Sequence, residues 1–284
     1  MKTFSVMVPG SCGELFQGRL DGRDFHVSCP VDIFSRAKAS FDAGPTDFNR
    51  LKPKSRRAAV AALRWSGAKL DNLRLEIDSD LEPGKGMASS TADIAAAAAV
   101  VTLAAGRRPL EKTLARLALA IEPTDGTLFS GIVGFDHREG SCLRRLGRAP
   151  DISVTYIDTG GSIDTIEFNR SKKRYTLSQL KDIRLAYEMI IMGFKKRDWH
   201  LVGMASTLSA RVNQDILPKP ALDELIEAAR GVDGYGIVVA HSGTVAGVLH
   251  DSRDARATAA IAHLGISPPK TAALIDGGWR LCVS

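Results

Sequence analysis

The segment Pro83-Gly84-Lys85-Gly86-Met87-Ala88-Ser89-Ser90-Thr91-Ala92 places small residues, one cation and three hydroxyls directly ahead of an alanine-rich run. A glycine loop feeding a helix makes an anion site: small residues let the backbone approach a phosphate chain, and first-turn N–H groups lack intrahelical partners. The helix dipole adds positive potential at the same end. Lys85 would add a full charge, and a hydroxyl such as Ser90 at the helix start can bind a phosphate oxygen or Mg²⁺, a hard cation that selects oxygen ligands. The plainer reading of the same residues is a Ser/Thr cap after a flexible turn. The loop is not a Walker A motif, because Lys85 is followed by Gly86 and the G-x-x-x-x-G-K-[ST] spacing is absent.

Other residues carry weaker signals. Glu122 precedes Pro123 at the expected end of a helix, where a carboxylate opposes the dipole and is better explained by a cation partner than by capping. Asp125, in front of Gly126, could aim its carboxylate at an acceptor hydroxyl as general base or orienter, or simply form an Asp-Gly turn; Asp136 is its rival. Ser242-Gly243-Thr244 reads either as a hairpin turn or as a glycine loop closing over phosphates or substrate. The six His and four Cys residues are scattered, with no Cys-x-x-Cys pair and no ligand-like His spacing, so no metalloenzyme, zinc site or disulfide framework is indicated.

These residues need a scaffold. Phe4 to Val8, Phe25 to Ile33 and Leu73 to Ile77 read as strands, and Ser55 to Trp65 as a helix. A second helix is expected from about Ser90, and Leu110, Leu114, Leu117 and Ile121 fall on one face of a third, which Pro123 stops. Ile152 to Asp158 and Ser162 to Phe168 predict strands around a Gly160-Gly161 turn. The basic, Gly- and Pro-containing stretch Arg144 to Pro150 before them divides the chain into 1–149 and 150–284. Helices are expected over Leu177 to Lys196, Trp199 to Asn213 and Ala221 to Ala229, and strands over Tyr235 to Ala240 and Thr244 to His250. A final helix and a strand Trp279 to Val283 close the chain. Strands and helices mixed without a regular βαβ repeat predict an α+β fold.

Three segments in order, Pro9-Gly10-Ser11-Cys12-Gly13-Glu14-Leu15, Pro83 to Ala92, and His241-Ser242-Gly243-Thr244-Val245-Ala246-Gly247, resemble the motifs of the GHMP kinases. The second motif of that superfamily is usually written P-x-x-x-G-L-G-S-S-A; here the Leu is Met87 and the second Gly is Ala88, which narrows the backbone's φ range. The resemblance implies a two-domain fold, with a ribosomal S5 domain 2-like N-terminal domain and a ferredoxin-like C-terminal domain. It also implies ATP-dependent phosphoryl transfer, with Pro83 to Thr91 holding the nucleotide, Ser90 and Glu122 as Mg²⁺ ligands, and Lys85 and Asp125 as catalytic residues. The superfamily is divided on the base, since some members use an Asp and homoserine kinase manages without one.

Within the superfamily, PGSCGELFQG, the CPVD at Cys29 to Asp32, the stretch EPTDGTLFSGIVGFDHREG from Glu122 to Gly140, and AHSGTVAG look like the L-threonine kinases of cobalamin biosynthesis. That implies phosphorylation of the L-threonine hydroxyl to O-phospho-L-threonine, a precursor of the aminopropanol linker. An amino-acid substrate needs an acidic partner and a basic one. Glu14 and Asp32 are candidates for its ammonium, Arg211, Arg138 and Arg184 for its carboxylate, and Ser242, Gly243 and Thr244 for further contacts. The same fold with L-serine, L-homoserine or a sugar alcohol as acceptor is the nearest alternative, and a non-catalytic nucleic-acid or regulatory binding module is the alternative of a different class.

Composition sets the outer bounds. With 284 residues, 44% apolar and 25% charged, the chain has the material for a folded core in one large or two ordinary domains. The net charge of +6 favours anionic partners. The basic clusters at Arg50 to Arg57, Arg144 to Arg148, Lys172 to Arg174 and Lys195 to Arg197 lack aromatic interleaving, so they read as solvated faces and not as a nucleic-acid surface. The start lacks the apolar stretch of a secretory signal, and the run Ile94 to Ala105 is too short for a membrane span. A cytoplasmic protein acting on a small molecule, with homodimerisation left open, is the expectation.

Overall fold

The computed structural model describes residues 2–41, 44–161 and 175–282. The chain opens with a long hairpin, β1 (Thr3–Leu20) and β2 (Arg23–Phe41). Asp21 and Gly22 both take positive φ, 48° and 83°, as a two-residue hairpin turn requires. Both strands outrun the expected Phe4 to Val8 and Phe25 to Ile33. Pro9, Gly10, Gly13 and Pro30 do not end them, because register shifts between Pro9 and Phe16 absorb the interruptions as bulges. At Gly13, φ is +70° and a Cβ would stand 2.6 Å from the Val239 carbonyl carbon, so only glycine lets β1 pass there.

The remaining strands are β3 (Leu73–Ser79), β4 (Ile132–Asp136), β5 (Leu143–Gly147), β6 (Ile152–Asp158), β7 (Gly236–Val239), β8 (Val245–Asp251), β9 (Lys270–Ala273) and β10 (Arg280–Leu281). They form one sheet in the order β5-β4-β2-β1-β7-β8-β6-β9, with β3 added to β2 and β10 to β1. The ladders between these strands are antiparallel. The two halves of the sheet meet where Glu14 of β1 pairs with Val239 of β7. The Arg144 to Pro150 stretch is not irregular throughout: most of it is β5, whose exposed arginines lie on an edge strand paired with β4. The closing strand is shorter than expected, and Ser162 to Phe168, Lys172 to Arg174 and Val283 lie outside the described residues.

The helices are α1 (Pro53–Ser66), α2 (Ser89–Ala104), α3 (Glu111–Leu119), α4 (Leu177–Lys196), α5 (Trp199–Asn213), α6 (Leu222–Gly231) and α7 (Arg256–Ala262). Residues Thr91 to Thr102 of α2 are buried on every side, packed against β1, β2, α1 and α3. Its alanines make that possible, since small side chains let neighbours close in all round. Leu114 and Leu117 are buried as the periodicity predicts, but Leu110 lies ahead of the first turn of α3 and is 55% exposed. No helix among the described residues is long and apolar enough to cross a membrane.

Candidate active site

The glycine loop is clamped between the first and third motifs. Ser11 N–H donates to Met87 O (3.0 Å), and Thr244 and Val245 N–H both donate to Lys85 O (3.0 and 3.1 Å). A Cβ on Gly10 would come within 2.6 Å of Met87 O, and one on Gly243 within 2.2 Å of Gly86 N. Gly243 and Thr244 therefore act as a brace behind the loop, while Ser242 lines the cleft in front of it. The loop enters α2 through Ala88 at φ 55°, ψ 26°, the left-handed region. The first intrahelical bond runs from Ala92 N–H to Ala88 O. The amides of Ser89, Ser90 and Thr91 thus precede the ladder at a mouth lined by Gly84 and Gly86, the arrangement that attracts phosphate.

The floor of the cleft comes from the turn after α3. The Ser90 hydroxyl donates to Glu122 Oε1, and Lys54 Nζ at the start of α1 stands 2.5 Å from Glu122 Oε2. Lys54, read as part of a solvated basic cluster, therefore pairs with a cleft residue without lining the cleft itself. Its neighbour Lys52 likewise pairs inward, with the buried Asp93 (3.1 Å). Ser90 and Glu122 offer hard oxygen donors side by side at the phosphate loop, a set that fits Mg²⁺. Three residues on, Asp125 is locked to α2: Thr91 Oγ1 donates to its Oδ2 (3.1 Å) and receives its N–H (3.2 Å). Burial pushes the Asp125 carboxyl up to about 6; the Thr91 hydrogen bond opposes the rise and the Glu122 charge adds to it.

Asp136 takes no part in the cleft. Its carboxylate accepts from the N–H groups of Arg138 and Glu139 (3.2 and 3.0 Å) and from the Ser141 hydroxyl (2.5 Å), closing the β4–β5 turn. Burial acts to raise its pKa, but these hydrogen bonds, the Ser141 hydroxyl foremost, outweigh it and hold the group below its usual range. Asp32 is also elsewhere: it is exposed, and its Oδ1 accepts the Ala273 N–H (2.9 Å) at the edge of β9. Lys85 turns away from Ser90 to Asp158 (2.5 Å) and the Gly161 carbonyl (2.9 Å), lining a neighbouring cavity with Tyr156 and Lys270. Pro83 is exposed at the loop's outer turn. The three candidate arginines are not among the cleft's lining residues: Arg138 pairs with Asp24 (2.7 Å), Arg184 with Asp21 (2.5 Å), and Arg211 is exposed.

Glu14, 5% exposed, does reach the cleft, and beside it lies a group that the linear spacing hides. His26, His137 and His241 are 2%, 3% and 8% exposed, and one ring nitrogen of each lies within 4.8 Å of the others. The His26 and His137 rings stack at 3.7 Å between centroids, and His241 meets His26 edge-on at 4.0 Å. His241 Nδ1 is 2.7 Å from Gln17 Oε1. The sheet order explains the convergence: β4, β2, β1 and β7 are successive neighbours, and they carry or adjoin His137, His26, Glu14 and His241 respectively.

Sequence and structure comparisons agree on what this chain is similar to. The family model for the GHMP kinases N terminal domain matches residues 54–133, and that for the GHMP kinases C terminal matches 190–264. The chain is 32% identical over 244 residues to an L-threonine kinase of Citrobacter freundii, covering 86% of this chain and 85% of that one. It is 34% identical over 253 residues to an L-threonine kinase of Salmonella typhimurium, covering 86% and 82%. Its fold matches the crystal structure of a homoserine kinase from Cytophaga hutchinsonii with a TM-score of 0.75 at 17% identity, over 99% of this chain and 98% of the other.

Proposed function

The chain belongs to the GHMP kinases, ATP-dependent enzymes that phosphorylate a hydroxyl group, and we propose that its acceptor is L-threonine. The observation that carries this reading is the similarity, over 86% of the chain, to two L-threonine kinases. The product is O-phospho-L-threonine; the motif segments that look like the L-threonine kinases of cobalamin biosynthesis support a place in that pathway, and a cytoplasmic location goes with this reading.

Phosphoryl transfer asks a protein mainly for positioning and charge neutralisation. The phosphate chain of ATP lies along Gly84 to Thr91, where the open amides of α2 and the helix dipole meet it. Ser90 and Glu122 would hold Mg²⁺, which when bound would supply neutralising charge. The acceptor hydroxyl sits at Asp125, whose carboxyl near pH 6 is poised to take or orient its proton at neutral pH. The fixed bond to Thr91 keeps Asp125 in register with the phosphate loop. Glu14 pairs with the acceptor ammonium. The phosphate-binding unit is 1–149 and the second unit 150–284, with Glu14 and His241 reaching the shared cleft from the two sides.

The test is ADP release with Mg²⁺-ATP against L-threonine, L-serine, L-homoserine, D-threonine and galactose, with the phosphorylated product confirmed by mass. Preference for L-threonine in kcat/KM is the expected result. Turnover of another acceptor in its place overturns the substrate while keeping the fold, and silence across the panel supports a binding module that has lost catalysis.

A further inference from the structure

A zwitterionic acceptor raises a question of charge that the cleft answers in an unusual way. Glu14, Glu122 and Asp125 line it, yet among the described residues no lysine or arginine does. Glu122 is engaged by Ser90 and Lys54, and the three candidate arginines stand elsewhere. The basic side chains that do line it are His26, His137 and His241. They adjoin the acceptor end, because Glu14, His26 and Asp125 each bring a polar atom within 4.8 Å of the other two. Asp125 in turn is bonded to Thr91, next to the metal-binding Ser90.

We infer that His26, His137 and His241 form the receptor for the acceptor's carboxylate, so that this kinase holds an α-amino acid between imidazoles and Glu14, with no guanidinium of the described residues lining the site. The inference rests on the amino-acid kinase reading above. Alternation of charge across the cluster matches an amino acid: Asp125 for the hydroxyl, Glu14 for the ammonium, imidazole N–H groups for the carboxylate. Gln17 Oε1 fixes the ring of His241 through Nδ1. The charged and titratable groups around the cluster are Glu14 on β1, Asp125 in the turn after α3, and the buried Lys219 beside His241 and Gln17.

Three histidines also suggest a transition metal, but the ring geometry favours an anion. His26 and His137 are stacked with only 13° between their planes, so their in-plane lone pairs run side by side. A Zn²⁺ ion about 2.0–2.1 Å from each nitrogen needs ligand lone pairs that converge on one point. The stack would have to splay apart to supply them.

The experiment compares L-threonine with L-threoninamide, which keeps the hydroxyl and ammonium and lacks the carboxylate. It uses the wild-type chain and His26→Gln, His137→Gln and His241→Gln. Glutamine keeps a neutral donor and similar bulk, and the ATP KM together with a thermal melt reports whether each variant is folded. Loss of a charged hydrogen bond is expected to lower the L-threonine to L-threoninamide ratio of kcat/KM about 10- to 100-fold in at least one variant. A merely structural role lowers both acceptors alike and leaves the ratio unchanged, which overturns the inference while the kinase assignment stands. A wild-type enzyme that ignores L-threonine but turns over another acceptor overturns the substrate reading instead. Submicromolar Zn²⁺ binding by calorimetry, lost in the glutamine variants, makes the cluster a metal site and also overturns the inference.

Discussion

The Ser90 hydroxyl, in the first turn of α2, donates to Glu122 Oε1 just beyond the end of α3, so two elements 32 residues apart in sequence present adjacent oxygens at the glycine loop. Lys54 holds the other Glu122 oxygen. Ser90→Ala and Glu122→Gln are expected to lower kcat at least 100-fold and raise the Mg²⁺ needed for half-maximal rate, as loss of charge-neutralising positions should. Lys54→Met acts in the opposite sense on the metal: removing a neighbouring cation from Glu122 lowers the half-saturating Mg²⁺ severalfold. Magnesium titrations of ADP release decide both. Near-wild-type curves for Ser90→Ala and Glu122→Gln remove them from the metal site.

As the proposed base, Asp125 would tie activity to pH. With its carboxyl at about 6, kcat/KM should fall below that pH as the base is protonated, and Asp125→Asn should cost roughly 10²- to 10⁴-fold in kcat. Stability runs the other way. A carboxyl whose pKa is raised on folding favours the native state most at pH values below its unfolded value of 3.8, and that contribution is lost as pH rises through about 6. Asp125→Asn in nucleotide-free protein is therefore more stable than wild type at pH 7.5, by about 1–3 kcal/mol, with the difference gone by about pH 4. Thermal melts across that range test this, and a variant that is less stable at pH 7.5 contradicts it.

What the sequence made legible was local. The loop Pro83 to Thr91, its helix, and Glu122 and Asp125 beyond α3 were readable because small residues, a proline stop and an Asp-Gly pair carry their conformational preferences with them. The long hairpin was readable only in part: Asp21-Gly22 marks its turn, while the bulges that carry β1 past Pro9 and Gly13 depend on β7 and the glycine loop packing against them. The histidine cluster had no linear signature at all. His26, His137 and His241 meet because β4, β2, β1 and β7 are neighbours in the sheet, and strand order is a tertiary fact. Asp32 and Asp136 show the converse, acidic residues near motif segments whose carboxylates are consumed by backbone N–H groups of β9 and of the β4–β5 turn.

Ala88 stands where the motif usually has glycine and takes φ +55°. A left-handed alanine costs roughly 1–2 kcal/mol relative to a residue at ease there, part of which glycine returns to its greater unfolded-state freedom. Ala88→Gly is expected to raise stability by about 1 kcal/mol and leave the loop's path unchanged. The neighbouring Gly86 is the contrasting case, at φ +82° with a Cβ that would fall 2.2 Å from Ala240 Cβ. Gly86→Ala should push the loop off its brace, raising the ATP KM by an order of magnitude or more in initial-rate measurements. An unchanged ATP KM in Gly86→Ala means that the brace does not set the loop.

Lys219 completes that brace from behind. Its ammonium donates to the Gly243 carbonyl, its own backbone is held by Gln214, and it is 4% exposed. Burial pulls its pKa down to about 8. Between pH 8 and about 10.5 the unfolded chain holds this proton more tightly than the native one, so stability rises with pH across that window. Lys219→Met lacks the titrating group and should show a flatter profile there, with the difference between the two proteins shifting by about 1–3 kcal/mol. Chemical denaturation at pH 7.5 and pH 10 measures it. Parallel profiles for wild type and Lys219→Met would mean that the ammonium is better solvated than its burial against Gly243 implies.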